Sequence, residues 1–352
     1  MKRVIVFIAF LAVCLSLKAD VKHKKIEKTF KVEKMKELVV QNYYGMIEVE
    51  QWEKDVIEIK VDIKVDAGNL DKVKAILDKI DVSFVQKPDY LNVVTGFSEG
   101  FSISKFTNKF FSGGSIQIDY TVYVPKGMDL KLVNSHGNVF IGDFSGNLGV
   151  DIEKGDLKIG VADGNSSISV KAGRVDINRL GSSNCIFINS KEVNIRKAKT
   201  LNIDSKHSDV NIEDAKAVVI TSSRGDCKFG TISSLRGSSS MTDFEVMNIG
   251  EELVLDMWFG SLNVRNIHNM FSLVDVKSER AKTGLTFMEG AAYDIQIRHT
   301  KSVKLDLPAG IKIKKRNTAE SRVYISEGNY GGENKFKSNV NINAKGCKLY
   351  IQ

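Results

Sequence analysis

The sequence predicts an all-β fold: a parallel β-helix, or β-solenoid, of about 17–18 residues per coil, capped near its N-terminus by an antiparallel strand and helix insertion. Three observations predict it. Apolar residues recur at a fixed step in Val139, Leu157, Val175, Val193, Val210, Cys227, Phe244 and Leu262. A companion column follows two places later in Ile141, Ile159, Ile177, Ile195, Ile212, Phe229, Val246 and Val264, and a spacing of two puts both side chains on one face of a strand. Two places before the stops, Gly137, Gly155, Gly173, Gly225 and Gly260 mark a turn, often with Asn or Asp in between. A period of this kind is one supersecondary unit stacked on itself.

Each unit carries an earlier strand with the same period: Leu132, Val150, Ile168, Ile186, Ile203, Ile220 and Leu255, with Gly237 in one slot. This register turns Ile186 inward and Cys185 outward. A coil points about four apolar side chains inward at roughly 1.5–3 kcal/mol each. Ordering its residues costs on the order of 1–2 kcal/mol apiece. No coil is stable alone, and only stacking buries a continuous core.

In chain order, residues 1–19 read as a secretory signal, with Lys2 and Arg3 before the apolar run Val4–Leu17 and Ala19 at the cleavage point. That run is too short for a membrane span. Leu11-Ala12-Val13-Cys14 approaches a lipobox, but Val13 stands where a small residue is required, so cleavage near Ala19 is expected in place of lipidation at Cys14. Export to the periplasm, the outer-membrane surface or the medium follows, with no transmembrane segment after signal removal.

Residues 20–54 form a leader strand and a first coil. Leu38, Val40, Asn42, Gly45, Ile47, Val49 and Trp52 match Leu130, Leu132, Asn134, Gly137, Val139, Ile141 and Phe144, each at an offset of 92. Residues 55–125 are then an insertion. Val56–Val65 alternates as a strand, and Asn69 caps a short helix with Val73, Ile76, Leu77 and Ile80 on one face. Val82–Thr95 and Ser115–Val124 are further strands of a small antiparallel sheet expected beside or over the end of the stack, where an open edge needs cover. Between them, Phe97, Phe101, Phe106, Phe110 and Phe111 lie among Gly, Ser and Lys. This apparent loop is the candidate interaction tip.

The solenoid itself spans 126–352. Past Val264 the period loosens: Leu273 and Val276 precede Leu285 and Phe287, and Ile295 and Ile297 precede Val303 and Leu305. Ile311 and Ile313 with Val323 and Ile325 carry the pattern on, Asn317–Glu320 and Glu327–Lys337 read as polar turns, and Val340, Ile342, Leu349 and Ile351 close the chain.

Composition is that of a globular protein, 42% hydrophobic and 27% charged with 3 Pro and 28 Gly. The formal charge of +8 falls to about +5 once Lys2, Arg3 and Lys18 leave with the signal. Seven lysines between Lys22 and Lys36 carry much of the excess. They suit a solvated leader strand, or an arm drawn to acidic polysaccharide or membrane. Export excludes nucleic acid as a natural partner, leaving a protein or glycan at the cell envelope.

Cys185, Cys227 and Cys347 of the mature chain form no disulfide framework, and the five histidines show no metal spacing; no metal or cofactor is expected. Parallel β-helices include polysaccharide lyases and hydrolases, which need clustered carboxylates. Here the equivalent outward residues Asp151 and Asp204 are separated by Ser169 and Phe187, or roughly 14 Å at strand spacing. Asp256 lies further on, and Asp151, Glu153 and Asp156 bunch only at a turn. The expected chain is therefore no enzyme. A lyase or hydrolase, and a periplasmic scaffold or envelope-signalling component, are the alternatives.

The run Asn42-Tyr43-Tyr44-Gly45-Met46-Ile47-Glu48-Val49 with Trp52, the strand end Val122-Tyr123-Val124-Pro125 and the Gly-Asp/Asn punctuation together resemble the bacterial exported "putative adhesin" solenoid family, head-GIN-like and common in Gram-negative bacteria. The resemblance covers nearly the whole mature chain. It implies a signal peptide followed by a right-handed β-helix, and it supplies no catalytic residues.

If the Phe-rich segment is an interaction tip, replacing Phe106, Phe110 and Phe111 with Ser weakens partner or surface binding and leaves the urea midpoint nearly unchanged. A large drop in that midpoint would put the rings in the core instead.

Overall fold

A computed structural model describes residues 21–67, 69–98, 115–311, 314–317 and 323–352. The predicted leader 1–19 lies outside them. Among the described residues the chain is nearly all β, with one mixed sheet and one short helix. It opens with β1 (Val21–Lys31), β2 (Glu37–Asn42), β3 (Ile47–Trp52) and β4 (Val56–Asp66), then the helix α1 (Leu70–Leu77). β5 (Ile80–Gln86), β6 (Tyr90–Phe97) and β7 (Ser115–Pro125) complete the N-terminal region. The repeats follow as β8 (Asp129–His136), β9 (Val139–Ile141), β10 (Leu148–Lys154), β11 (Leu157–Ala162), β12 (Ser166–Lys171), β13 (Arg174–Ile188) and β14 (Glu192–Lys206). β15 (Val210–Ile267) then runs for 58 residues. β16 (Leu273–Glu279), β17 (Lys282–Phe287), β18 (Tyr293–Thr300) and β19 (Lys304–Asp306) lead to β20 (Lys314–Asn317), β21 (Val323–Tyr330), β22 (Asn339–Lys345) and β23 (Lys348–Ile351).

Two parallel ladders run through the repeats. In one, Val139, Leu157, Val175, Val193 and Val210 pair in succession, as do Ile141, Ile159, Ile177, Ile195 and Ile212. Both predicted apolar columns are inside, no member being more than 3% exposed. The other ladder joins β8, β10, β12 and the later halves of β13 and β14. Here one expectation fails. Ile168 pairs with Cys185, not Ile186, so this repeat is a residue shorter and every side chain changes face. Cys185 is 1% exposed and Ile186 43%. The adopted register buries Phe187 between Val170 and Ser205, and Phe187 is therefore no outward residue.

The corners explain the punctuation. A Cβ on Gly155 would lie 2.0 Å from the Gly137 carbonyl oxygen, and one on Gly173 would lie 1.9 Å from that of Gly155. Successive corner backbones pass too closely for a side chain there. The Asn or Asp that follows bonds to the next repeat: Asn138 Oδ1 accepts from Asp156 N at 2.9 Å, Asp156 Oδ1 from Arg174 N at 2.9 Å, and Asp209 Oδ1 from Asp226 N at 3.0 Å. These carboxyl and amide oxygens satisfy backbone donors that would otherwise lack a partner.

The offset of 92 is a physical contact. Leu38, Val40 and Asn42 pair with Leu130, Leu132 and Asn134, and Ile47 and Val49 with Val139 and Ile141. Asn42 and Asn134 are buried; Asn42 Nδ2 donates to the Ile118 carbonyl and Asn134 Nδ2 to that of Gly45, each at 2.9 Å. Thr95 Oγ1 donates to Asn42 Oδ1 at 3.1 Å and lies 2.6 Å from the Tyr120 hydroxyl. Burial pushes that phenol up to about 12.

Asn69 caps α1, its side chain accepting from Lys72 N, and Val73 and Ile76 are buried as the periodicity predicts. The insertion, however, is not a separate sheet. β6 and β7 extend the two ladders in parallel with β2 and β3. The antiparallel strands lie outside them, β5 on β6 and β4 with β1 on β7. Parallel continuation costs nothing extra here, because β2 and β3 offer unpaired edges at the matching step.

At the other end the expected sequential order also breaks. β22 sits between β16 and β18, and β23 between β17 and β19, so the last strands wedge into an earlier gap. Val274 and Val276 fill the interior while Leu273 is only half-buried. β21 pairs antiparallel with β18 and β20. The predicted polar turn at Glu327 is therefore partly strand, and Ile325 is only half-buried; Ile313 lies outside the described residues. Thus the stack, expected to be parallel, is mixed at both ends.

The register at Cys185 is directly testable. Cys185→Asn buries a polar side chain with no partner and should cost several kcal/mol, whereas Ile186→Asn, on the outer face beside Ser169 and Asp204, should change stability by less than about 0.5 kcal/mol. Urea melts of the two variants compare them, and the reverse ranking would restore the 18-residue step.

Candidate interaction surface

Of the predicted aromatic tip, Phe97 ends β6 and packs edge-to-face against Tyr43 with ring centroids 6.1 Å apart. Tyr43 is 43% exposed, and next to it Tyr44 stacks on His136 at 5.1 Å. Phe101, Phe106, Phe110 and Phe111 lie outside the described residues.

The candidate carboxylates do not converge. Asp151 is separated from Asp204 by Ser169 and Ile186 in the register. Lys206 stands 3.6 Å from Asp204 and Lys277 3.8 Å from Asp256, while Asp156 is committed to its corner hydrogen bond. Among the described residues no three His, Cys, Asp or Glu side chains gather as a metal-ligand set. His207 lies at a corner with φ 50°, its ring nitrogen 3.2 Å from the Arg224 guanidinium.

A feature with no sequence motif of its own is a groove of about 490 Å³ crossing the repeats from Asp163 to Gly250. Its floor includes Leu180, Ala198 and Ala215, the inward apolar residues of the bend between the two ladders. Pairs Arg179–Lys197–Asp214 and Leu180–Ala198–Ala215 set the rows. Arg179 holds Asp163 bidentately, Nε to Oδ1 at 2.9 Å and Nη2 to Oδ2 at 2.7 Å. Those hydrogen bonds keep the Asp163 carboxyl below its ordinary range. Lys197, Lys199 and Lys216 are exposed, and among the described residues none has an acid within ion-pair distance. The signal was present in the period: Arg179, Lys197 and Asp214 each follow an apolar stop by four residues. Without the bend, however, nothing in the sequence says that these positions face one groove.

A second exposed feature follows the Gly corner. Non-glycine residues there take positive φ in successive repeats, including Arg224 at 57°, Met241 at 54° and Phe259 at 58°. Trp258 is 48% exposed and packs edge-on against Phe259 at 4.8 Å, with the Arg280 guanidinium 5.5 Å from the Phe259 ring.

No protein-family model and no curated protein matches the chain. Among solved structures, the chain is similar to a "putative cell adhesion protein" from Clostridium sporogenes, at 10% identity over 94% of this chain and 99% of that one, with a TM-score of 0.24. It is similar to a "putative adhesin" from Bacteroides fragilis, at 13% identity over 67% and 94% of the two chains, with a TM-score of 0.34. A "putative lipid binding protein" from Parabacteroides distasonis aligns at 12% identity over 75% and 93%, with a TM-score of 0.31.

The cysteines are buried free thiols, and burial pushes Cys185 and Cys227 up from 9.0 to about 12. Neither thiol ionises near neutrality, so neither is a nucleophile. At pH 8 the folded chain should resist iodoacetamide at both positions and react fully in urea, as read by intact mass. The unfolded thiols ionise first, so their stabilising contribution is complete below pH about 9 and is lost as pH rises toward about 12. Rapid alkylation of the folded chain would place a thiol outside.

Proposed function

We propose that this is an exported, non-catalytic protein whose repeats wind as a right-handed parallel β-solenoid and whose outward faces bind a protein or glycan at the cell envelope, in the manner of an adhesin. The observation that carries this reading is the pair of parallel ladders sharing one step, with the long groove where they meet. A stack of that kind is quasi-one-dimensional and holds surface side chains in fixed columns. It suits recognition of extended partners better than enclosure of a small substrate.

The groove is open and runs lengthwise, whereas sites for small molecules are concave and bury most of their ligand. The outward carboxylates are spread along the stack and several are paired with lysine, which disfavours the lyase or hydrolase alternative. Among the described residues no helix is long and apolar enough to cross a membrane. The periplasmic scaffold remains the competing reading, and it differs in location rather than in fold.

Protease treatment of intact cells separates the two. An outward-facing adhesin should be cut on intact cells, losing its signal in an immunoblot. Cutting only after the outer membrane is permeabilised would overturn surface adhesion in favour of a periplasmic scaffold.

A further inference from the structure

From the groove we infer that Lys199 and Lys216 recognise the carboxylates of an extended acidic polysaccharide lying along it. This rests on the reading of the chain as an envelope-binding scaffold and names the ligand class.

The two lysines are flanked by the ladder pairs Ala198–Ala215 and Thr200–Ala217, so they occupy equivalent positions on adjacent repeats. Their neighbours along that row are Gly181 and Ser233, neither of them charged. The adjacent row differs. There Arg179 is held by Asp163, which reaches it from the head of the lysine row, and Lys197 lies between Arg179 and Asp214. Like charges stacked one strand spacing apart are destabilising, so the uncompensated pair carries a cost that a bound anion would relieve.

Shape selects a chain over a compact anion. From Asp163 to Gly250 the groove crosses five steps of about 4.8 Å, or about 24 Å. A planar membrane cannot follow such a concave line. An extended peptide is disfavoured because peptides that bind as strands use unpaired sheet edges, and the backbone along this bend is already paired between repeats. What remains on offer is cationic and hydroxyl side chains with a small apolar floor, which fits carboxylated sugars.

The test uses the purified full chain and immobilised polygalacturonate at physiological ionic strength, with dextran, polyglutamate and anionic phospholipid vesicles as comparisons. The unaltered chain should bind polygalacturonate and should bind the three comparisons at least tenfold more weakly. Lys199→Gln/Lys216→Gln should weaken binding at least tenfold while keeping or raising the melting temperature. Lys199→Arg/Lys216→Arg, which keeps both charges, should retain it. Lys25→Gln/Lys28→Gln/Lys31→Gln on β1 should leave it unchanged. Equal binding to polyglutamate or vesicles, undiminished binding by the Gln pair, or loss confined to the β1 variant would each overturn the assignment. So would failure of the unaltered chain to bind polygalacturonate. That failure would leave the envelope-binding reading standing, because protease access judges it separately.

Discussion

The structure depends on one constraint, that each repeat must lie in parallel register on the next through both ladders and around the corner between them. The corner is the tightest point. The carbonyl of Gly137 occupies the space that a side chain on Gly155 would need, and Gly155 does the same to Gly173. One place before that corner slot the chain takes a positive φ in successive repeats, as at Ala172, Arg224, Met241 and Phe259, whether or not Gly follows, at a local cost on the order of 1–2 kcal/mol. The apolar columns can then stay aligned, and the core is continuous because no repeat drifts sideways.

A stack under this constraint has two open ends, and the chain closes them differently. At the first end β6 and β7 add another layer, and antiparallel strands cover it. β1 brings Lys22, Lys24, Lys25, Lys28 and Lys31 to the outermost edge, where charge discourages further strand pairing. Much of the basic excess therefore has a structural role. At the second end the chain leaves through β18 to β21 and returns to place β22 and β23 inside the stack. The terminus is thus held by ladders on both sides.

Function follows from what the register does to side chains that are not in the core. Rows of outward residues are brought to one strand spacing from each other whatever their charge. In most rows opposite charges or amides result, as where Asn211 Nδ2 donates to Asn194 Oδ1 at 3.0 Å or Arg265 pairs with Glu245 at 2.6 Å. In the corner row, where the acids Asp209 and Asp226 adjoin, Asp209 is answered by the backbone N–H of Asp226, whereas Lys199 and Lys216 stand side by side in the groove with no acid among the described residues within ion-pair distance.

The sequence by itself determined the period, the two apolar columns, the need for Gly at the first corners, the helix cap at Asn69 and the match between residues 38–52 and 130–144. All of these are local patterns, or repeats of one local pattern, and strand periodicity reads directly as burial. Only the tertiary structure decided the face of Cys185, because a single shortened step reverses inside and outside while Ile186 and Phe187 satisfy the pattern about equally well on paper. Only it decided that β22 and β23 return between earlier strands, since pairing partners distant in sequence leave no periodic trace. The groove belongs to the same class. Its lysines were visible as residues, but their convergence depends on a bend between ladders that exists only once the repeats are stacked.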